Sequence, residues 1–286
     1  MAMDMSRRLA VKVLAALAVP RLAGAAAAPL RMAILPYLPA QDLHRRFSGL
    51  LGWLGRRIGT EVELFVAPDY TTMIEMVGRD QVDLAYMGPA PFVQMAARFG
   101  GKHLLGRLEV RGMATFRGII VAKAADPVNT LADLRGRRFA FGDRQSTMSH
   151  LLPHHMLLQA GLRLGDLAGH EFLGSHNNVA LGVLSGEFDA GAVKDEVFES
   201  YRVRGLKAVA TTVPVSEQVF LATNRLPADL RQRAAAALAA AWADPEGRAG
   251  LSAITAGVTG LVPVASSDFD ELRVILDSLA AAGDER

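Results

Sequence analysis

Hydroxyl groups crowd one short stretch of this chain. Gly142-Asp143-Arg144-Gln145-Ser146-Thr147-Met148-Ser149-His150 follows the apolar run Arg138-Phe139-Ala140-Phe141 and precedes a helical pattern that begins near Leu151. Ser146, Thr147 and Ser149 can each donate to an oxyanion. The N–H groups of a first helical turn have no internal partner, and the helix dipole adds roughly half a positive charge there. Ser and Thr are also favoured N-caps, so this loop alone leaves capping and anion binding open. Three other loops carry related chemistry. Gly88-Pro89 allows close backbone approach and a helix start. Tyr70 and Thr71, in Ala67-Pro68-Asp69-Tyr70-Thr71-Thr72, offer a phenol and a hydroxyl. His176, in Gly174-Ser175-His176-Asn177-Asn178, offers an imidazole donor. Each also has a plainer reading: an ordinary turn, a half-buried tyrosine, a capping or core histidine. Asp195 and Glu196 follow another apolar run, where an acid could hold a ligand's amine or pair with Lys194 or a nearby arginine.

Other chemistries find little support. His150 and His154 have the one-turn spacing of metal ligands, but Pro153 lies between them, no HExxH glutamate is present, and the chain has no cysteine to complete a site. No metal and no cofactor are expected. GxSxG, the Walker loop GxxxxGK[ST] and a helix-opening GxGxxG are all missing, and the expectation is a protein that is not an enzyme.

The elements that must position these loops follow from the patterning. Strand-like runs fall at 31–37, 61–68, 83–88, 104–110, 117–123, 138–142, 171–174, 188–193, 206–213 and 218–224, with apolar spacings near 3.6 between many of them. Such alternation gives an α/β fold of parallel sheets covered by helices. The tail from Leu226 reads as helical, with Pro227 at a helix start and Gly247 closing the stretch. The four polar loops all follow strands and open helices. In open α/β sheets that is where ligands bind, so the pattern carries more weight than any single loop.

With 286 residues, 51% hydrophobic and 21% charged, the chain suits one large or two medium globular domains. A net charge of +2, without a basic block interleaved with aromatics, gives no reason to expect nucleic acid. Arg7, Arg8 and Lys12 flank a short apolar run, Val13 to Val19, and small residues from Ala23 to Pro29 follow. That is the layout of a cleavable export signal. Ser6 to Lys12 also resembles a twin-arginine signal, though without the usual bulky apolar pair. The expected location is periplasmic.

The segments Phe65 to Val93, Phe116 to Lys123, Leu134 to Pro153 and Leu173 to Glu199 together resemble the periplasmic phosphate/phosphite/phosphonate-binding proteins of ABC transporters. The likeness runs from about Leu30 to the C-terminal helices. It implies a two-lobed type II periplasmic-binding-protein fold with the ligand in the interlobe cleft. The implied division is 1–28 signal peptide, 29–117 first part of lobe one, 118–217 lobe two, and 218–286 the return to lobe one. Hinge crossings would lie near Arg117 and Gln218. The implied site is Tyr70, Thr71, Met87, Gly88, Ser146, Thr147, Met148, Ser149 and His176, with Glu196 near the far end of the ligand. The implied function is binding of a small phosphorus oxyanion (phosphonate, phosphite or phosphate) by a monomer that delivers it to an ABC permease. The alternatives are a ligand sensor for a membrane histidine kinase, or a binder of another small ligand such as a sulfonate. Relatives usually read Ser-Thr-Ser-Gly where this chain has Ser146-Thr147-Met148-Ser149. The lost hydroxyl at Met148 would cost about 1.5–3 kcal/mol if nothing replaced it. Met87 and Ser216 stand where binders of aminoalkylphosphonates carry an aromatic and an acid, which argues against 2-aminoethylphosphonate.

Overall fold

The computed structural model describes residues 28–283, so the expected export signal lies outside the described residues apart from its last position. Thirteen strands are described: β1 (Leu30–Ile34), β2 (Val62–Val66), β3 (Leu84–Met87), β4 (His103–Val110), β5 (Thr115–Phe116), β6 (Gly118–Lys123), β7 (Arg138–Phe141), β8 (Gly169–Phe172), β9 (Ala190–Lys194), β10 (Leu206–Thr211), β11 (Val215–Ser216), β12 (Val219–Ala222) and β13 (Val258–Val262). Nine α-helices accompany them: α1 (Ala40–Ile58), α2 (Tyr70–Gly78), α3 (Pro89–Phe99), α4 (Leu152–Gln159), α5 (His176–Ser185), α6 (Asp195–Arg202), α7 (Ala228–Ala240), α8 (Pro245–Ile254) and α9 (Asp270–Ala282). A π turn, Thr147–Leu151, leads into α4.

These elements form two α/β lobes. One is built on a six-stranded sheet in the order β13-β4-β12-β3-β1-β2, the other on a five-stranded sheet in the order β10-β6-β9-β7-β8. A small ribbon of β5 and β11 runs between them. The sheets are mixed rather than wholly parallel. β1 pairs in parallel with β2 and β3, and β7 with β8 and β9. β12 returns from the second lobe and inserts antiparallel between β3 and β4, while β6 runs antiparallel to β9 and β10. The tail is not wholly helical either. β13 interrupts it and pairs with β4, and Gly247 lies inside α8 rather than closing a helix. Asp244 caps α8 by accepting from the N–H groups of Glu246 and Gly247, both at 3.0 Å.

The register brings the polar loops together. β1 and β2 align from Leu30↔Val62 to Ile34↔Val66, so the loops after them leave one sheet edge. β7 and β8 align through Phe141↔Phe172, and the loops at 142–146 and 173–175 leave the matching edge of the second sheet. Behind these edges the cores are apolar. The rings of Phe47, Tyr86 and Phe220 pack in series, tilted to one another, with centroids 5.1 and 4.6 Å apart. Each such buried ring contributes about 1.5–3 kcal/mol by leaving water. The helix α1 reaches that core with Leu43, Phe47, Leu50, Leu54 and Ile58, an apolar stripe at helical spacing.

Candidate functional site

Four helix starts meet between the lobes, and each has a local reason. Asp69 caps α2 by accepting from the N–H of Thr72 at 2.6 Å. Gly88 precedes α3, with Pro89 at its first position. Ser146 accepts from the N–H of Ser149 at 3.2 Å and begins the π turn. Ser175 accepts from the N–H of Asn178 at 3.2 Å and begins α5. Capping is therefore real at Ser146, and its hydroxyl also hydrogen-bonds the Tyr70 phenol, which brings both groups to one point.

The four starts wall a small cavity of about 20 Å3. That is room for about one water-sized group, so a tetrahedral oxyanion would need the lobes to part slightly. Lobe one lines it with Leu35, Tyr37, Tyr70, Gly88 and Pro91. Ser146, Thr147, Met148, His176 and Lys194 line it from lobe two, and Phe116 and Gln218 from the crossings. Thr147 joins the lobes: its Oγ1 accepts from the N–H of Ala90, in the first turn of α3, at 3.0 Å. A hydroxyl that accepts there can still donate into the cavity.

The titratable groups are set up as neutral donors with one buried cation. Nδ1 of His176 accepts from the N–H of Lys194 at 3.0 Å, which leaves the proton on Nε2. Burial, and then Lys194, lower the His176 pKa to about 3, so the ring stays neutral. Burial holds the phenols of Tyr37 and Tyr70 well above their ordinary value, and they remain donors. The ammonium of Lys194 lies 3.4 Å from Oε1 of Glu217, 3.7 Å from Oε2 of Glu196, and 5.0 Å from the centre of the Phe116 ring. Burial alone would lower the Lys194 pKa, but the two carboxylates outweigh it and raise it. Burial pushes the Glu217 carboxyl up, against the pull of Lys194. Its Oε2 is buried with no hydrogen-bond partner.

A second cavity of about 740 Å3 adjoins the first across Phe116 and Lys194, which line both. Lobe one presents Arg45, Arg46 and Arg111 to it, and lobe two Asp195, Glu196 and Glu199. Arg46 crosses the gap to Oε1 of Glu196 at 2.5 Å and also donates to the carbonyl of Ile254 at 2.8 Å. Lys194 and then Arg46 are the cations that act on Glu196. Although burial opposes them, together they lower its pKa.

The residues named from sequence divide accordingly. Tyr70, Gly88, Ser146, Thr147, Met148 and His176 line the small cavity, and Glu196 lines the large one. Thr71 does not reach either; it is exposed and lies with Thr72 and Glu75 on a separate surface groove. Met87 is fully buried within the first sheet's core, off the cavity wall. Ser149 is buried away from the cavity, and its hydroxyl has no partner. A Cβ on Gly142 would lie 2.1 Å from that hydroxyl, so Gly142 makes the seat into which Ser149 turns. The hydroxyl missing at Met148 is therefore not replaced by Ser149. Gly118 is a second close approach: a Cβ there would lie 2.7 Å from the Met148 carbonyl oxygen. His150 and His154 stack 5.5 Å apart in an aromatic cluster with Phe141 and Phe172. Nδ1 of His150 is 2.7 Å from the carbonyl of Arg144.

Tyr37, Lys194 and Glu217 were not among the residues named from sequence as binding the ligand. Tyr37 follows β1 as the other loops follow their strands, a signal that could have found it. Lys194 closes an apolar run and precedes two acids, a pattern equally common on surfaces.

Comparison with known proteins bears on this geometry. The model of a family described as the periplasmic phosphonate substrate-binding protein of an ABC transporter matches residues 32–269. A phosphate-import protein, PhnD of Mycolicibacterium smegmatis, is 26% identical over 270 residues, covering 86% of this chain and 84% of that protein. A probable ABC-transporter phosphite-binding protein, PhnD1 of Prochlorococcus marinus, is 25% identical over 179 residues, 60% of each chain. The solved structure of that PhnD1 in complex with methylphosphonate superposes with a TM-score of 0.79 at 20% identity, covering 88% of this chain and 98% of that one. At that identity the superposition supports the fold.

Proposed function

This chain belongs to the family of periplasmic phosphonate-binding proteins of ABC transporters, and from that premise we propose that the small interlobe cavity takes a phosphonate, phosphite or phosphate. The observation that carries the reading is the tautomer of His176. With Nδ1 occupied by the Lys194 N–H, a buried neutral imidazole offers Nε2–H beside the hydroxyls of Ser146, Thr147 and Tyr70. Four buried donors converge on one small cavity, where an acceptor-rich ligand would engage them together. Tyr37 adds a fifth donor from lobe one. Such a site needs little formal positive charge, because fixed N–H and O–H dipoles do the work in a water-poor space.

In this reading the lobes swing about the crossings at 116–118 and 212–218, in the manner of hinge closure around a ligand. The bond from Ala90 to Thr147 and the pair of Arg46 with Glu196 belong to the closed form. The closed monomer would then present its ligand to an inner-membrane ABC permease, without chemical turnover, after export by the N-terminal signal. A thermal-shift screen of the mature chain tests this. At ligand a hundredfold above its Kd, mass action adds about 2.7 kcal/mol, which is a rise of about 5–10 °C for a chain of this size. Methylphosphonate, phosphite or phosphate should give that rise and sulfate should not. No rise with any phosphorus oxyanion would refute the assignment.

A further inference from the structure

Lys194 is a buried ammonium that the oxyanion contacts above leave without a task. It sits at the end of β9, its side chain 6% exposed, between two carboxylates contributed by different parts of the fold. Glu217 reaches it from the crossing beside β11 and Glu196 from the first turn of α6. A buried carboxylate and a half-buried one facing one point, with an aromatic ring 5.0 Å from it, are what an alkylammonium would need. The chain's own lysine already fills that seat. Lys194 and Phe116 are also the residues common to both cavities, so the side chain stands where the small cavity would open into the large one. Its position is tied to the oxyanion donors, because its backbone N–H sets the His176 tautomer.

Resting on the oxyanion reading, we propose that Lys194 is a specificity-determining residue that excludes phosphonates bearing an amino group. Its ammonium occupies the seat between Glu217 and Glu196, closes the passage to the larger cavity, and repels a second cation. Bare oxyanions and short alkylphosphonates need neither the seat nor the passage. Ser216 plays no direct part in this exclusion. It is buried off the cavity wall, accepts from Arg107 at 3.0 Å, and donates to the Glu217 carbonyl.

The test is calorimetric Kd values for methylphosphonate and 2-aminoethylphosphonate on the mature chain, as wild type, Lys194→Ala, and Lys194→Met with Glu217→Gln. Wild type should prefer methylphosphonate by about tenfold or more, since like charges brought together in a buried site are strongly disfavoured. Lys194→Ala frees Glu217, leaves Glu196 with Arg46 alone, and opens the passage, so the preference should shift towards the aminated ligand by at least about tenfold. The double variant removes the Glu217 charge and should shift far less. Should Lys194→Ala fail to fold, Lys194→Gln, which can still donate to Glu217 without a charge, should shift the ratio in the same direction. An unchanged ratio in a folded single variant that still binds methylphosphonate overturns the role of Lys194 alone. A wild type that favours the amine also overturns it. A wild type that binds no phosphorus oxyanion overturns the underlying assignment and this inference with it.

Discussion

Thr147→Val keeps the shape of a fully buried side chain and removes only its hydroxyl. Two bonds depend on that group. One is the 3.0 Å acceptor bond from the Ala90 N–H across the cleft. The other is the donor that Thr147 would offer an oxyanion. A hydrogen bond to a charged group contributes about 1.5–3 kcal/mol, and an orphaned buried N–H costs about 1–3 kcal/mol. In an open form water would satisfy the Ala90 N–H, so both losses fall on the closed, liganded form and both appear in the affinity. With tenfold in Kd for each 1.4 kcal/mol, the expected loss is about 50-fold or more. Calorimetric titration with methylphosphonate measures it. Thr147→Ser, which restores the hydroxyl, should return binding to within severalfold of wild type. A valine variant that binds as tightly as wild type would place the ligand somewhere other than this cavity.

Three further perturbations probe the surrounding architecture. Gly118→Ala puts a Cβ 2.7 Å from the Met148 carbonyl and 3.1 Å from Cγ2 of Thr212. Overpacking of this kind costs about 1–3 kcal/mol, so the melting temperature and the affinity should fall together; a neutral effect on both would mean that the hydroxyl loop is not seated on β6. Arg46→Met removes the interlobe pair with Glu196, whose side chains are 26% and 19% exposed. A partly exposed pair is worth about 1 kcal/mol or less, so ligand dissociation in stopped flow should quicken a fewfold, and an unchanged rate would exclude the pair as part of closure. The third is acid stability. His176 and His150 are held at about 3 and about 4 against an ordinary 6.5, mainly by burial. Between those values the unfolded chain binds protons that the folded chain does not, so stability is lost as pH falls below about 6.5. The melting temperature should drop steadily from pH 7 to pH 4.5, and His176→Gln should flatten the slope; a flat wild-type profile would contradict buried neutral imidazoles.

How much of this was legible in the sequence depends on which distances local pattern can reach. The ten strand runs correspond to described strands because apolar runs bounded by Gly, Pro and polar turns are local features. β13 was not legible: its Val258-Thr259-Gly260-Leu261-Val262 carries a glycine, follows two helices, and is a strand because β4 offers it an edge. Mixed strand direction was also hidden, since it is set by where β12 re-enters the first sheet. At the site the same division holds. Tyr70, Gly88, Ser146, Thr147 and His176 each follow a strand and open a helix or turn, which is visible in sequence. Tyr70 and Thr71 are adjacent, yet one faces the cavity and the other solvent, because successive helical residues turn about 100° and the phase is set by packing. Ser149 offered a hydroxyl of the right type, but Gly142 gives it a seat on the far side of the turn. Lys194 was the hardest to read. A lysine before two acids is ordinarily solvated, and only the return of Glu217, 23 residues later, makes a buried cation at that point stable.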